Sequence, residues 1–401
     1  EMVIRDWSSD VCSSDLAEID ETAIRVRVKG APPVKIYKDQ NVFEAARERV
    51  AFVFDEFDEV IVASSSGKDS TVIMELAIME AELRGRLPVK VLFVDQEAEW
   101  SSTVQYMEHL AARPEIDLWW IQIPFRMDNA ASFYQDEIHA WGPGEEWMRP
   151  QFPGAKVDPE PFGDYRNKKQ PLNDFYHMFP NCYAAAAGHR RFGVLYGMRV
   201  EESPVRRLNL TKVKGGYKGR GWAVNVSEKT DSWRLAPIWD WRVDDVWAAI
   251  YKYGWEYNRV YDLMYQYGVP VRKMRVSSLI HGVAAHNDLK MLQELDLGTY
   301  EALVKRLPGI NTYSHLQEGM LIQRLPSAVA TWEEYQAHLF DHLLGDNARA
   351  QFEALFKSKL AARIPDGEEK FRLFATLIVG NDYLGVGMVN YVNNPSKHAR
   401  G

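Results

Sequence analysis

Ser64, Ser65, Ser66, Gly67, Lys68, Asp69 and Ser70 follow one another between an apolar stretch, EVIVA, and an apolar run, STVIMELAIMEAELRG. Small residues in such a place let backbone N–H groups approach an anion, and the start of a helix adds the positive end of its dipole. Lys68 is placed to neutralise a phosphoryl oxygen, and the hydroxyls of Ser65 and Ser70 can donate to one. The glycine spacing and closing Gly-Lys-Ser/Thr pair of the nucleoside-triphosphatase loop are absent. A plain strand-to-helix turn with serine caps is the alternative.

Three further features carry chemistry. Asp95 ends VKVLFV, where a carboxylate can accept from a ribose or base donor, help hold Mg²⁺, or cap a helix. Arg199 ends FGVLYGMR, and its guanidinium matches phosphate or sulfate geometry. From Arg199 to Arg220 there are seven basic residues, Arg199, Arg206, Arg207, Lys212, Lys214, Lys218 and Arg220, against Glu201 and Glu202. In an acidic chain this excess points first to nucleotide phosphates, next to a plain charged loop, and last to RNA or DNA, for which GGYKGRGW offers stacking surfaces. Trp100, Trp141 and Trp147 are core residues or surfaces for a base.

The elements that must position these residues read as α/β. A helix over Val42 to Phe57 precedes the strand before Ser64, the helix ended by Gly85, the strand ending in Asp95, a helix over Ser102 to Ala112 and a strand over Leu118 to Pro124. Strands alternating with helices of this length predict a Rossmann-like, mostly parallel sheet covered by helices, with ligands beyond the carboxyl ends of the strands. Periodicity fails between Phe125 and Gln170, which reads as an insertion or lid. A helix over Ala184 to His189 and the strand at Phe192 restore the pattern, so the inserted region spans 125–190. From about residue 245 the spacing predicts helices, the last a long amphipathic run from Trp332 to Lys359. The expected organisation is therefore a tail over 1–16, a nucleotide-binding domain over 17–244, beginning with a short hairpin or edge strand, and a largely helical domain over 245–401.

SSSGKDS resembles the SGGKDS-type loop of the adenine nucleotide alpha-hydrolase superfamily, the PP-loop ATP pyrophosphatases, in the branch of the phosphoadenosine phosphosulfate (PAPS) reductases and the small subunit of ATP sulfurylase. FVDQEAEWSST resembles that branch's next element and brings in Asp95, Glu99 and Thr103. GMRVEESPVR resembles its Gly-x-Arg-x-x-Glu-Ser-x-x-Arg element and brings in Gly197, Arg199, Glu202, Ser203 and Arg206. APIWDWRVDDVWAAI with EYNRVYDLMYQYGV resembles the segment closing the sheet. With its insertion and long helical tail the chain is most similar to PAPS-reductase-like proteins of the immunoglobulin-binding regulator type, found near ParB-like partners. The resemblance implies an adenine nucleotide, ATP or PAPS, with Mg²⁺, and an electrostatic catalytic set of Lys68, Arg199 and Asp69. It implies adenylyl transfer with pyrophosphate release; PAPS reduction or sulfur transfer, and a non-catalytic nucleotide-sensing or nucleic-acid-associated adaptor, are the alternatives. One departure is Ser66, which brings a Cβ to the first position of the usual glycine pair. Another is the missing Glu-Cys-Gly-Leu-His element of the reductases: no cysteine follows Cys182.

Composition limits the rest. Cys12 and Cys182 are the only cysteines, too few for a disulfide framework and consistent with a reducing compartment. Cys182 with His177 and His189 lacks the short paired spacings of zinc sites. A net charge of −8 gives the whole surface no attraction for polyanions. With no apolar run long enough for a membrane span and no secretory pattern, the expected location is the cytoplasm. Residues 1–16 repeat SSD and resemble translated adapter sequence; an ordinary disordered amino terminus is the alternative.

Overall fold

The computed structural model describes residues 39–393 apart from 130, 132–134, 136, 172, 212–214, 228–230, 277, 281–284, 311–324, 345, 381 and 383–384. The expected tail over 1–16 and the hairpin before residue 39 lie outside the described residues. Helix α1 (Val42–Glu56) is capped by the Asn41 side chain, which accepts from the Glu44 N–H. It leads into β1 (Glu59–Ala63), α2 (Lys68–Leu83), β2 (Val89–Val94), α3 (Ser101–Ala111) and β3 (Ile116–Ile121). After the inserted region come β6 (Phe192–Leu195), α5 (Pro204–Thr211), β7 (Ala223–Ser227) and β8 (Ser232–Leu235).

Six strands form one sheet in the order β3-β2-β1-β6-β8-β7, parallel except for the antiparallel edge pair β7 and β8. Side chains alternate across it, as the period of two requires. Ile61, Leu92, Val94 and Val194 enter one core, while Val60, Val62, Val91 and Phe93 enter the other. Helices α1, α2, α3 and α6 (Val243–Tyr253) cover the second face; α4 (Phe175–Ala186), α7 (Val260–Gln266) and α9 (Leu297–Arg306) contribute to the first. This is the expected Rossmann-like sheet, with β1 central and its carboxyl end opening on Ser64 to Ser70.

The inserted region is more ordered than its composition suggests. Strands β4 (Phe125–Asp128) and β5 (Glu137–Ala140) pair antiparallel, and Phe125, Met127, Ile138 and Trp141 are buried in the first core. Four-residue strands are too short to show alternation against so much Gly, Pro and charge. Helix α4 starts at Phe175, well before Ala184, and passes through Pro180.

Beyond α7 the chain is helical among the described residues. Helices α8 (Ala285–Leu295) and α9 help build the first core, whereas α10 (Trp332–His342), α11 (Asp346–Phe356), α12 (Glu368–Val379) and α13 (Val386–Asn393) gather around a separate core containing Leu339, Phe352, Phe374 and Ile378. The long run expected from Trp332 to Lys359 is two helices, the first ending at His342 and the second beginning at Asp346. No helix of the described residues is long and apolar enough to cross a membrane.

Candidate functional site

Strand β1 is hydrogen-bonded on both sides, so the loop after it leaves from the middle of the sheet. The loop's own hydroxyls set its shape: Ser64 Oγ accepts from the Ser66 N–H at 3.1 Å and Ser70 Oγ from the Ser65 N–H at 3.3 Å. Ser66 sits in the left-handed region at φ 57, which costs a residue with a Cβ about 1–2 kcal/mol. Its hydroxyl is held by Thr103 at 3.4 Å and by the Asn258 side-chain amide at 3.3 Å. The first intrahelical bond of α2 runs from Thr71 to Gly67, and the Lys68 N–H donates to the Tyr261 hydroxyl at 3.1 Å. The N–H groups of Gly67, Asp69 and Ser70 have no acceptor among the described residues, leaving three donors at the positive end of a 16-residue helix.

The charged side chains at this helix end are interlocked. Lys68 is buried, its Nζ donating to Asp69 at 3.0 Å and to the Met274 carbonyl at 3.2 Å. Burial pushes the Lys68 ammonium below its ordinary value; Asp69 opposes this, and the Arg199 and Arg275 charges add to it. Arg199, also buried, binds Asp69 through Nε and Glu201 through Nη1 at 3.0 Å. Glu202 takes Arg206, and Ser203 Oγ accepts from the Arg206 N–H at 3.1 Å. Gly197 closes the arrangement. A Cβ there would lie 2.5 Å from the Asp69 carbonyl carbon and 2.7 Å from the Ser70 nitrogen, so only glycine lets the segment after β6 lie against the first turn of α2.

The remaining candidates fall elsewhere. Asp95 is fully buried and saturated by its own chain, accepting from Trp120 Nε1 at 2.7 Å, Gln122 Nε2 at 2.9 Å, Arg149 at 2.6 Å and the Glu97 N–H at 2.9 Å. Asp69 is likewise taken by two cations, Lys68 and Arg199, so neither it nor Asp95 is free to orient Mg²⁺. Among the described residues no group of three or more His, Cys, Asp and Glu could hold a metal ion, which covers the Cys182 and histidine set. Thr103 reaches the loop through Ser66, whereas Glu99 faces a cavity beside α3. Burial, then the charge of Asp95, push the Glu99 carboxyl up to about 8 against the pull of Arg149. Trp100 and Trp141 are core residues, and Trp147 packs edge-on against Trp141.

The basic run divides. Arg199 and Arg206 face the loop, but Lys218 pairs with Glu56 and Arg220 lies over the Phe52 ring, both on α1, away from the loop; Lys212 and Lys214 lie outside the described residues. Spacing also gave no hint of Asn258, Tyr261, Met274 or Arg275, which arrive from 190 or more residues downstream. The Asn and Tyr of EYNRVYD are the one signal for Asn258 and Tyr261, and Met274 and Arg275 have none.

A family model described as the phosphoadenosine phosphosulfate reductase domain matches residues 59–267, more than half of the chain. The chain belongs to this family. The matched span runs from β1 through α7, so Ser64 to Ser70, Arg199, Asn258 and Tyr261 all lie inside the PAPS reductase domain, while Met274, Arg275 and α8 to α13 follow it. The Escherichia coli (strain K12) protein described as uncharacterized protein YbdN is 29% identical over 285 residues, 69% of this chain and 68% of its own. Among solved structures, the PAPS reductase from Candida auris in its phosphate complex aligns over 54% of this chain and 84% of its own, at 16% identity and a TM-score of 0.31. The U34-tRNA thiolase NcsA from Methanococcus maripaludis aligns over 72% and 86%, at 12% identity and a TM-score of 0.30.

Glu99 makes a pH prediction. Its carboxyl titrates near 4.5 when unfolded and near 8 when folded, so between those values the folded state keeps a proton that the unfolded state has lost. Stability therefore falls as pH rises through this window and levels off above it. Glu99→Gln is expected to melt higher than wild type above pH 8 and to match it near pH 4.5, as read by thermal denaturation across pH. Equal melting temperatures for the two proteins at all pH values would show Glu99 to be ionised and paired.

Proposed function

We propose that the end of α2 binds the phosphate chain of an adenine nucleotide and that the domain acts on that nucleotide as an enzyme. The observation that carries this is the convergence of three free N–H donors with Lys68, Arg199 and Arg206 around Gly67 to Ser70. On binding, the phosphates would take over cations now held by Asp69 and Glu202, and charge developing on the departing oxygens would be stabilised by Lys68 and Arg199. Mg²⁺ would come with the nucleotide phosphates, since Asp69 and Asp95 are engaged.

Family membership favours PAPS, or a sulfur-transfer reaction, as the chemistry. Sulfonate transfer to a thiol breaks the sulfur–oxygen bond to the nucleotide phosphate and needs a thiolate within reach. Cys182 is fully buried in α4, and burial pushes its thiol up to about 12. The thiol would then come from a partner or a small molecule. The second reading, adenylyl transfer from ATP with pyrophosphate release, is favoured by that same buried Cys182, because it needs no thiol; its acceptor would be sulfate or a group on a partner protein. A nucleotide-sensing adaptor, for which the absence of a cysteine after Cys182, the basic run and the added helices speak, is a third reading, and a ParB-like partner follows from the resemblance.

Incubation with α-labelled ATP or labelled PAPS, with and without an external dithiol, separates the two. Products from PAPS only with the dithiol, lost in Lys68→Ala and Arg199→Ala, support the first; labelled adenylate and pyrophosphate from ATP support the second. Absence of both products with intact binding supports the adaptor. Cys182→Ala is expected to leave either turnover unchanged, and native protein and variant should take up equal amounts of iodoacetamide at neutral pH. Loss of turnover in Cys182→Ala would restore an internal thiol mechanism.

A further inference from the structure

A cavity of about 360 Å³ lies between the outward face of α3, the segment around Met148 and Arg149, and α9. It is separate from the phosphate loop: α3 turns Thr103 toward Ser66, and Ser101, Val104, Gln105 and Glu108 toward the cavity. Its charged wall residues are Glu97, Glu99, Glu108 and a single cation, Arg149. That cation is paired with Asp95, its Nη2 donating to both carboxylate oxygens, while its buried Nε has no acceptor among the described residues. Glu97 is committed too, to Arg306 and to the N–H groups of Trp141 and Met148.

Glu99 is the exception. It is 6% exposed and faces the cavity, and its one hydrogen bond is a 3.4 Å contact from the Gln96 N–H to Oε1. Oε2 has no partner among the described residues. A buried carboxyl without a cation of its own is costly in the charged form. The exposed Glu108 adds negative potential at the rim.

We propose that this cavity binds a small organic cation, an amine or guanidinium compound, whose charge pairs with Glu99. An anion would meet the charges of Glu97 and Glu108 and a single wall cation, Arg149, whose charge is already balanced by Asp95. A metal ion fits less well, because the volume is that of a small-molecule site and no three metal-ligating side chains converge among the described residues. The hydroxyls of Ser101 and Thr299 on the wall supply further acceptors. At neutral pH Glu99 holds a proton, raised by burial and Asp95 and opposed by Arg149. Arrival of the ligand's cation favours the carboxylate, so that proton leaves to the buffer and an ion pair forms in its place. Affinity therefore rises with pH up to about 8. The proposal stands apart from the nucleotide reading and uses neither Lys68 nor Arg199.

The test is calorimetric titration of the full chain with agmatine at pH 7, in two buffers of different ionisation heat, with MgCl₂ as a parallel arm. Saturable binding with a buffer-dependent heat is expected. Glu99→Gln should weaken agmatine at least about tenfold and remove the buffer dependence. Ala302→Trp, which fills the cavity from α9, should abolish agmatine binding while leaving the affinity for ATP as in wild type. No saturable heat with agmatine, heat from MgCl₂ alone, or agmatine binding that survives both substitutions would overturn the proposal.

Discussion

Replacing Arg306 with alanine is expected to destabilise the protein by about 3–5 kcal/mol, because it strips the counter-ion from a carboxylate that water cannot reach. Glu97 is fully buried and stands at φ 68, a left-handed backbone that presents its side chain inward. Arg306, at the end of α9, donates through Nε to Glu97 at 2.8 Å, through Nη1 to Glu145 at 3.0 Å and through Nη2 to the His139 carbonyl at 3.1 Å. One guanidinium thus ties α9 to the turn after β2 and to the inserted hairpin. Replacing both partners by apolar groups should cost less than the single change, since no fully buried charge is then left without a partner and the remaining cost is that of the Trp141 and Met148 N–H groups that lose Glu97. Chemical denaturation of Arg306→Ala, Glu97→Gln and the double variant Glu97→Leu with Arg306→Met would measure this. A loss under about 1 kcal/mol in Arg306→Ala would mean that water already reaches the pair.

Gly197→Ala is expected to abolish nucleotide binding and to cost about 3 kcal/mol or more of stability. The new methyl would fall 2.5, 2.6 and 2.7 Å from the Asp69 carbonyl carbon, its oxygen and the Ser70 nitrogen. All three are backbone atoms, so relief requires moving either the first turn of α2 or the segment that carries Arg199. Either movement opens the Arg199–Asp69 contact and misplaces the free N–H donors. Gly298→Ala is the control: a Cβ there meets nothing within 4 Å, and its stability and nucleotide affinity should stay near wild type. Wild-type binding in Gly197→Ala would remove this close approach from the site.

The parts of this architecture that were legible in the chain are local ones. Strand β1, the loop and α2 are contiguous, and their apolar runs and small residues state the strand-turn-helix by themselves. Arg199 and Gly197 were reachable because they follow the next buried strand on the same edge of the sheet. What settles the state of each group is not local. Asp95 reads as a free carboxylate at a strand end, yet Trp120, Gln122 and Arg149 fill every direction from which a ligand could approach it. Nothing in spacing announces that Tyr261 would cap Lys68, or that the Met274 carbonyl would share its ammonium. The inserted hairpin was hidden because four residues per strand give too few alternations to stand out. The basic run from Arg199 to Arg220 misled for a related reason: nearness in sequence is not nearness in the fold once the turn before β7 places Lys218 and Arg220 against α1.

The most direct measurement is calorimetric titration of ATP and of PAPS into wild type and Lys68→Ala at fixed ionic strength. Lys68 would contribute a charge-assisted contact of about 1.5–3 kcal/mol. Saturable binding of at least one nucleotide to wild type, weakened about ten- to hundredfold in Lys68→Ala with folding unchanged, is the predicted result. Equal affinity in the two proteins, or no binding of either nucleotide to wild type, would contradict a nucleotide site at the start of α2.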